Sequence, residues 1–333
     1  MTVDTKELRN LFNRIGGAML FFLLSFNVLC GGAALIGEAM LAVSEAKSVY
    51  VFSEILNSSS YIGAFTVPVW FFLAISKNKS VEPFGLQLAL SSTRPTFTAS
   101  ALMFLGTGMC FAASYVNSVL FPVSEEAADI FFAGEIRGGY AVVLMFISTA
   151  IVPAFVEELL FRGVVLSSIK PYSESGAVLI SALLFGLMHQ TPFQVFYATA
   201  IGVILGILRI KTESIWTGVL VHFFNNFLSV LQSYLLECYD GRTGEVLYTT
   251  ITLAVAAIGI LLGAALYSLT RKRVAVKEAA QLGVFQSHDT SCEMDLKPEN
   301  RMVYKAFWSP TMIIFIVLCG VTMLTTAIAM NGV

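Results

Sequence analysis

The chain has 333 residues, 56% of them hydrophobic and only 13% charged, with a net charge of −2. Soluble globular chains carry about 25% charged residues, so a mean hydropathy of +0.78 places this one in the membrane class. No basic tract of nucleic-acid type occurs, the wealth of apolar residues excludes a disordered chain, and five scattered cysteines without a C-x-x-C exclude a disulfide framework.

Crossing a bilayer by helix takes ~20 mostly apolar residues. Nine segments qualify in chain order: 15–43, 60–76, 98–120, 139–169, 175–191, 193–209, 214–236, 249–270 and 309–330. The second and sixth are short, and Val49 to Leu56 adds an interfacial turn. Lys6, Arg9 and Arg14 precede the first apolar run. That run, Ile15 to Val43, exceeds the roughly 7–15 residues of a signal core, so it is expected to be a retained span. The expected fold is an all-α, polytopic transmembrane bundle of about nine spans. Its divisions are N-terminal spans over 1–138, a core over 139–236, a further span over 237–270, a linker over 271–308 and a last span over 309–333. Two pairs of small residues at spacing four, Gly202/Gly206 and Gly259/Gly263, suit close helix packing.

Loop charge sets the orientation. With the N-terminus inside, sixteen of the 20 Lys and Arg fall in inside segments; Lys47, Arg137 and Arg242 lie outside and Arg162 lies within a helix. The outside loop 121–138 is acidic, with Glu125, Glu126, Asp129 and Glu135. The 271–306 segment is the one long polar stretch and reads as a cytoplasmic linker.

Three polar motifs interrupt the most apolar stretches: Glu157-Glu158-x-x-x-Arg162, Phe185-x-x-x-His189 and His222-x-x-x-Asn226. A carboxylate at mid-membrane costs ~2.5–3.5 kcal/mol on insertion scales, so it persists where it faces a protected interior. Glu158 and Arg162 stack at spacing four with the acid first, the favoured order, and can neutralise each other. Glu157 is turned ~100° away and is left free for chemistry. Pro153 leaves the carbonyl of Thr149 without its partner, so the helix is expected to kink there.

At ~1.5 Å per residue, Glu157 lies ~18 Å above the inner end of its span, His189 ~21 Å, His222 ~12 Å and Asn226 ~18 Å. Helices of alternating direction thus bring four side chains into one slab. Glu157 can serve as general base on a water that His189 shares, with His222 and Asn226 donating to an oxyanion. Equally, Glu157, His189 and His222 form a His₂Glu set able to hold a divalent metal such as zinc. No H-E-x-x-H pair compels a metal.

On these residues the chain resembles the CPBP family, the CAAX proteases, bacteriocin-processing enzymes and lysostaphin-resistance-A-like proteins, which includes the type II CAAX prenyl endopeptidases. The resemblance covers roughly 139 to 236 and contains all three motifs in order. It implies an intramembrane endopeptidase in which Glu157 and His189 activate water, His222 and Asn226 form the oxyanion site, and Glu158 and Arg162 support them. Phe185 is expected to pack beneath the site. The implied partners are a membrane-associated or lipidated peptide and the bilayer, with no nucleic acid. The expected location is a bacterial plasma membrane with the N-terminus cytoplasmic; a eukaryotic endoplasmic reticulum is the alternative.

Plainer readings exist for each residue. Glu158–Arg162 is also a good structural pair, a lone His189 is more often a hydrogen-bonded core histidine, and Asn226 can simply join helices. Asn225 beside it faces another way and is the better candidate for that joining role. His288, in the polar linker, reads as solvated. Two rival functions are a catalytically silent scaffold or regulator and a transporter using buried charges. The first would erode a motif residue and the second would show inverted repeats; neither sign is present. The topology yields a direct expectation. A reporter fused after Val333 should behave as extracytoplasmic, and cytoplasmic activity there would remove one span.

Overall fold

The computed structural model describes residues 5–44, 46–76, 93–120, 139–239, 241–282 and 298–330. Within them the chain is helical and contains no strand. Ten helices follow one another: α1 (Thr5–Val43), α2 (Lys47–Ile75), α3 (Thr93–Leu120), α4 (Tyr140–Ile169), α5 (Glu174–Leu187), α6 (Pro192–Thr212), α7 (Ile215–Cys238), α8 (Gly241–Leu282), α9 (Pro298–Phe307) and α10 (Pro310–Met330). Among the described residues 8 helices are long and apolar enough to cross a membrane. The protein is an integral membrane protein built as a polytopic helical bundle.

The boundaries depart from the hydropathy reading in informative places. α2 is not short: it starts at Lys47 and absorbs the stretch expected as an interfacial turn. The polar run Asn57 to Ser60 breaks hydropathy, but Asn and Ser have only middling helix propensity, so the helix continues through them. The fifth segment is shorter than expected, a helix of 14 residues, or ~21 Å. It ends because Gln190 adopts the left-handed conformation (φ 56°) and Thr191, before Pro192, is extended. Proline at the first turn then opens α6. α8 continues to Leu282, so the polar segment begins as helix, and α9 lies near its end. The acidic 121–138 loop and His288 lie outside the described residues.

Glycine governs the closest crossings, as small residues do between membrane helices. A Cβ on Gly259 of α8 would stand 2.8 Å from the Cα of Gly108 and 2.8 Å from the carbonyl oxygen of Phe104, both on α3. One on Gly202 of α6 would stand 2.8 Å from the Cα of Ala182 on α5. Both small-residue pairs therefore mark real backbone contacts. The main core joins α1, α2, α4, α5 and α10 around the fully buried Phe12, Phe22, Phe65, Phe72, Phe161 and Phe315. Large apolar side chains such as Leu35, Trp70 and Leu261 face outward, at 70%, 72% and 71% exposure, as a lipid-facing surface requires.

Several contacts tie one end of the bundle together. Thr311 donates to the carbonyl of Asn13 at 3.0 Å, Lys170 and Glu213 approach to 4.0 Å, and Ser173 hydrogen-bonds Asn300. The starts of α1 and α10, the α4–α5 turn, the α6–α7 turn and α9 thus share a face, as the loop charges require. All three tryptophans, Trp70, Trp216 and Trp308, lie within a few residues of helix ends on that face, the level tryptophan prefers at a membrane interface. Gly259→Leu should push α3 and α8 apart and lower the thermal midpoint of the detergent-solubilised protein. The neighbouring outward change Leu261→Ala should leave it nearly unmoved.

Candidate active site

α4 carries the acids and is the least regular helix of the bundle. π-helical stretches occupy Phe146–Ile151, just before Pro153, and Leu159–Leu166, around Arg162. The departure from regular helix expected at Pro153 thus takes the form of a π turn, a feature often found at functional sites. Between these stretches Glu157 and Glu158 lie on regular helix, 4% and 0% exposed.

Glu158 and Arg162 form the anticipated pair, with Nη1 to Oε1 at 2.7 Å and both side chains fully buried. Arg162 also donates from Nη2 to the carbonyl of Gly202 at 3.0 Å, and its Cζ sits 4.6 Å over the ring of Phe185. Its own carbonyl accepts from Ser167, and Arg209 reaches that hydroxyl at 3.3 Å. The pair is therefore the junction of α4, α5 and α6.

Glu158 does more than neutralise Arg162. Its Oε1 also lies 3.3 Å from Nδ1 of His222. A carboxylate only accepts, so Nδ1 carries the proton and Nε2 points onward. Nε2 lies 3.7 Å from Oε2 of Glu157. That spacing is beyond a direct hydrogen bond but short enough for one atom to be shared between them. The other oxygen of Glu157 is held: Tyr61 of α2 donates to Oε1 at 2.5 Å. Glu157 therefore keeps Oε2, which has no hydrogen bond among the described residues, turned toward His222.

His189 lies just beyond the end of α5. Its Nδ1 is 2.9 Å from the carbonyl of Phe185, a group that only accepts, so Nδ1 is the protonated nitrogen and Nε2 offers a lone pair. The contact also caps one of the orphan carbonyls at the helix end. Phe185 packs at the centre as expected: its ring lies 5.2 Å from the ring of His189 and 5.5 Å from that of His222. Asn226 follows His222 by one turn and is half-buried, with no hydrogen bond among the described residues. Asn225 accepts from Tyr197 of α6 at 2.8 Å and joins the two helices, the role its position suggested.

The structure thus brings Glu157, Glu158, Arg162, Phe185 and His222 into direct contact and sets His189 beside them. Two contributors were not anticipated. Tyr61 lies in a span with no motif, and one of 11 tyrosines carries little signal. Gly218 was more legible, since it stands one turn before His222 on the same helix row. A Cβ there would meet Oε2 of Glu158 at 2.6 Å. The donor chemistry of Glu157, His189 and His222 suits zinc, yet among the described residues no three such side chains close on a common point in this arrangement.

With this geometry the comparisons become readable. The family model of the type II CAAX prenyl endopeptidase Rce1-like proteins matches residues 139–228, the stretch that holds every motif residue. The likeness to that family is confined to residues 139–228. A protein of Bacillus subtilis (strain 168) named "Putative membrane peptidase YdiL" is 31% identical over 96 residues. The match spans 28% of this chain and 38% of that relative. No solved structure matches the chain significantly. The matched stretch therefore runs from α4 into α7, while α1 to α3 and α8 to α10 fall outside the family match.

The matched stretch gives a sharp test of the pair at its centre. Gly218→Val should displace the Glu158 carboxylate and leave Arg162 buried without its partner, a loss of about 3–5 kcal/mol. Purified Gly218→Val should show a markedly lower unfolding temperature. The isosteric Glu158→Gln should fall in the same direction, and unchanged midpoints for both would refute the central role of the pair.

Proposed function

We propose that this protein is an intramembrane endopeptidase hydrolysing a peptide bond of a membrane-associated or lipidated peptide. The observation that carries the reading is the divided environment of Glu157. One carboxylate oxygen is fixed by Tyr61; the other, buried and without a hydrogen bond among the described residues, faces His222 at 3.7 Å. A buried carboxylate so arranged has a position for a reacting water. The family match and the relative named as a membrane peptidase support the same class of activity.

In this reading a water donates one hydrogen to Oε2 of Glu157 and the other to Nε2 of His189. Glu157 takes the proton as the water oxygen adds to the carbonyl carbon. Nε2 of His222, protonated while Glu158 holds Nδ1, donates to the oxyanion, and Asn226 supplies a second donor. The carbon–nitrogen bond then breaks as Glu157 returns its proton to the leaving amine. Tyr61 holds Glu157 in place throughout. A zinc ion, where bound, would fall to Glu157, His189 and His222 and would supply Lewis acidity. We place the N-terminus in the cytoplasm on the strength of the loop charges, and the protein in a bacterial plasma membrane by analogy with its Bacillus subtilis relative.

The test is turnover of a quenched peptide by the full chain in proteoliposomes. Glu157→Gln should abolish hydrolysis with the unfolding temperature preserved. Asn226→Ala should lower kcat by ~10²–10³, the worth of one oxyanion donor. Tyr61→Phe should lower kcat by about ten- to a hundredfold, the range of a hydrogen bond to a charged group of ~1.5–3 kcal/mol. Metal analysis runs alongside. One equivalent of zinc, lost in both His189→Ala and His222→Ala and needed for activity, would replace the glutamate-driven step with a metal one. Full activity in Glu157→Gln would remove Glu157 from the role of base, and no hydrolysis by the unsubstituted chain would instead mark a scaffold.

A further inference from the structure

A cavity of about 360 Å³ lies beside the candidate active site, within the range of small-ligand pockets. Seven of its twelve lining residues lie outside the family-matched segment, and the other five, Met188 to Thr191 and Gln194, lie within it. Its far walls come from α1 and α10, its near wall from Tyr61 of α2 and from the turn between α5 and α6. Two of its lining residues belong to the site: His189, and Tyr61, whose hydroxyl holds Glu157. Helix rise puts it at the same depth. α1 and α10 touch at Gly16 and Met312, and Asn27, on the cavity wall, is eleven residues further on, ~16 Å.

The chemistry of the lining is unusual for a membrane interior. One side is an aromatic wall, with Phe22, Phe65 and Tyr61 in successive ring contact at 4.8 Å. The other side carries carboxamides and hydroxyls, and no described lining residue bears a fixed charge. Three carboxamides line it, and each is half used: Gln190 donates to the carbonyl of Met188 at 3.5 Å. Asn27 donates from Nδ2 to the carbonyl of Leu23 at 2.7 Å, which leaves its oxygen as an acceptor. Gln194 accepts from Thr191 at 2.8 Å through Oε1, which leaves its NH₂ as a donor. Thr322 and Thr326 donate to carbonyls of their own helix, so their lone pairs face outward. A free acceptor, a free donor and an aromatic wall form the complement of one capped, apolar amino-acid residue. Burying a charge there would find no counter-ion.

We propose that this cavity is the subsite for an uncharged, apolar residue of the substrate next to the bond to be cut, with its flanking amides bound by Asn27 and Gln194. The assignment rests on the endopeptidase reading for its role, and on the cavity alone for its chemistry. The closing experiment separates the two by measuring binding without turnover. The full chain in detergent is titrated with N-acetyl-phenylalaninamide and with N-acetyl-phenylalanine, which differ by one carboxylate. The neutral probe should bind saturably, and the charged one at least about tenfold more weakly, as a site built of matched neutral donors and acceptors demands. Asn27→Leu and Gln194→Leu should each weaken the neutral probe by about tenfold or more, while Glu157→Gln should bind it as the unsubstituted chain does. Equal binding of the two probes overturns the proposal from the unsubstituted chain alone, even if the leucine variants fail to fold. Probe binding by a protein that cleaves no peptide would leave the subsite standing and sink the endopeptidase. Peptide cleavage that the neutral probe does not inhibit would do the reverse.

Discussion

A guanidinium without contact to water organises this molecule. Arg162 is wholly buried, and every nearby element bends to its needs. Glu158 supplies its counter-charge, Gly202 its second acceptor and Phe185 the face on which it lies. Two glycines make the room: Gly202 lets α6 come close enough for its carbonyl to be reached, and Gly218 leaves space for the carboxylate. A buried ion pair offsets its desolvation only when geometry and further hydrogen bonds are good. Here they are good because four helices converge on it. The same carboxylate then orders His222, so the interaction that holds α4, α5 and α6 together also sets the orientation of a candidate catalytic histidine.

The legible part of this arrangement was the part carried by spacing. Glu158 and Arg162 at four residues, and His222 with Asn226 at four, define helix faces without any structure. A common depth for Glu157, His189, His222 and Asn226 was expected from helix rise alone, and within that set His222 stands beside both acids. Hydropathy located the helices but not their ends. It cut α2 at a polar run that is helical, and it extended α5 past a left-handed glutamine. Those ends depend on backbone conformation and on tertiary burial, which a hydropathy window does not contain.

Tyr61 shows the limit most plainly. It lies 96 residues from the carboxylate it holds. Nothing local distinguishes it from any tyrosine in a membrane helix. Only the packing of α2 against α4 gives it a role, and aromatic contacts from Phe22 of α1 through Phe65 hold its ring from the other side. The cavity was hidden for the same reason, since its walls come from helices at both ends of the chain.

The brevity of α5 has a consequence for how such a protein can change over time. A helix of ~21 Å in a hydrocarbon layer of ~30 Å stops part-way, and α1, α2 and α10 line the space beyond it. These three helices lie outside the family match, whereas the acids and histidines lie within it. On the proposed reading, the candidate hydrolytic residues and the greater part of the cavity wall are therefore written in separate stretches of the same gene, with Gln194 and the α5–α6 turn belonging to both. Substitutions at Phe22, Asn27 or Thr326 would then alter what the cavity accepts while the acids and histidines stay as they are.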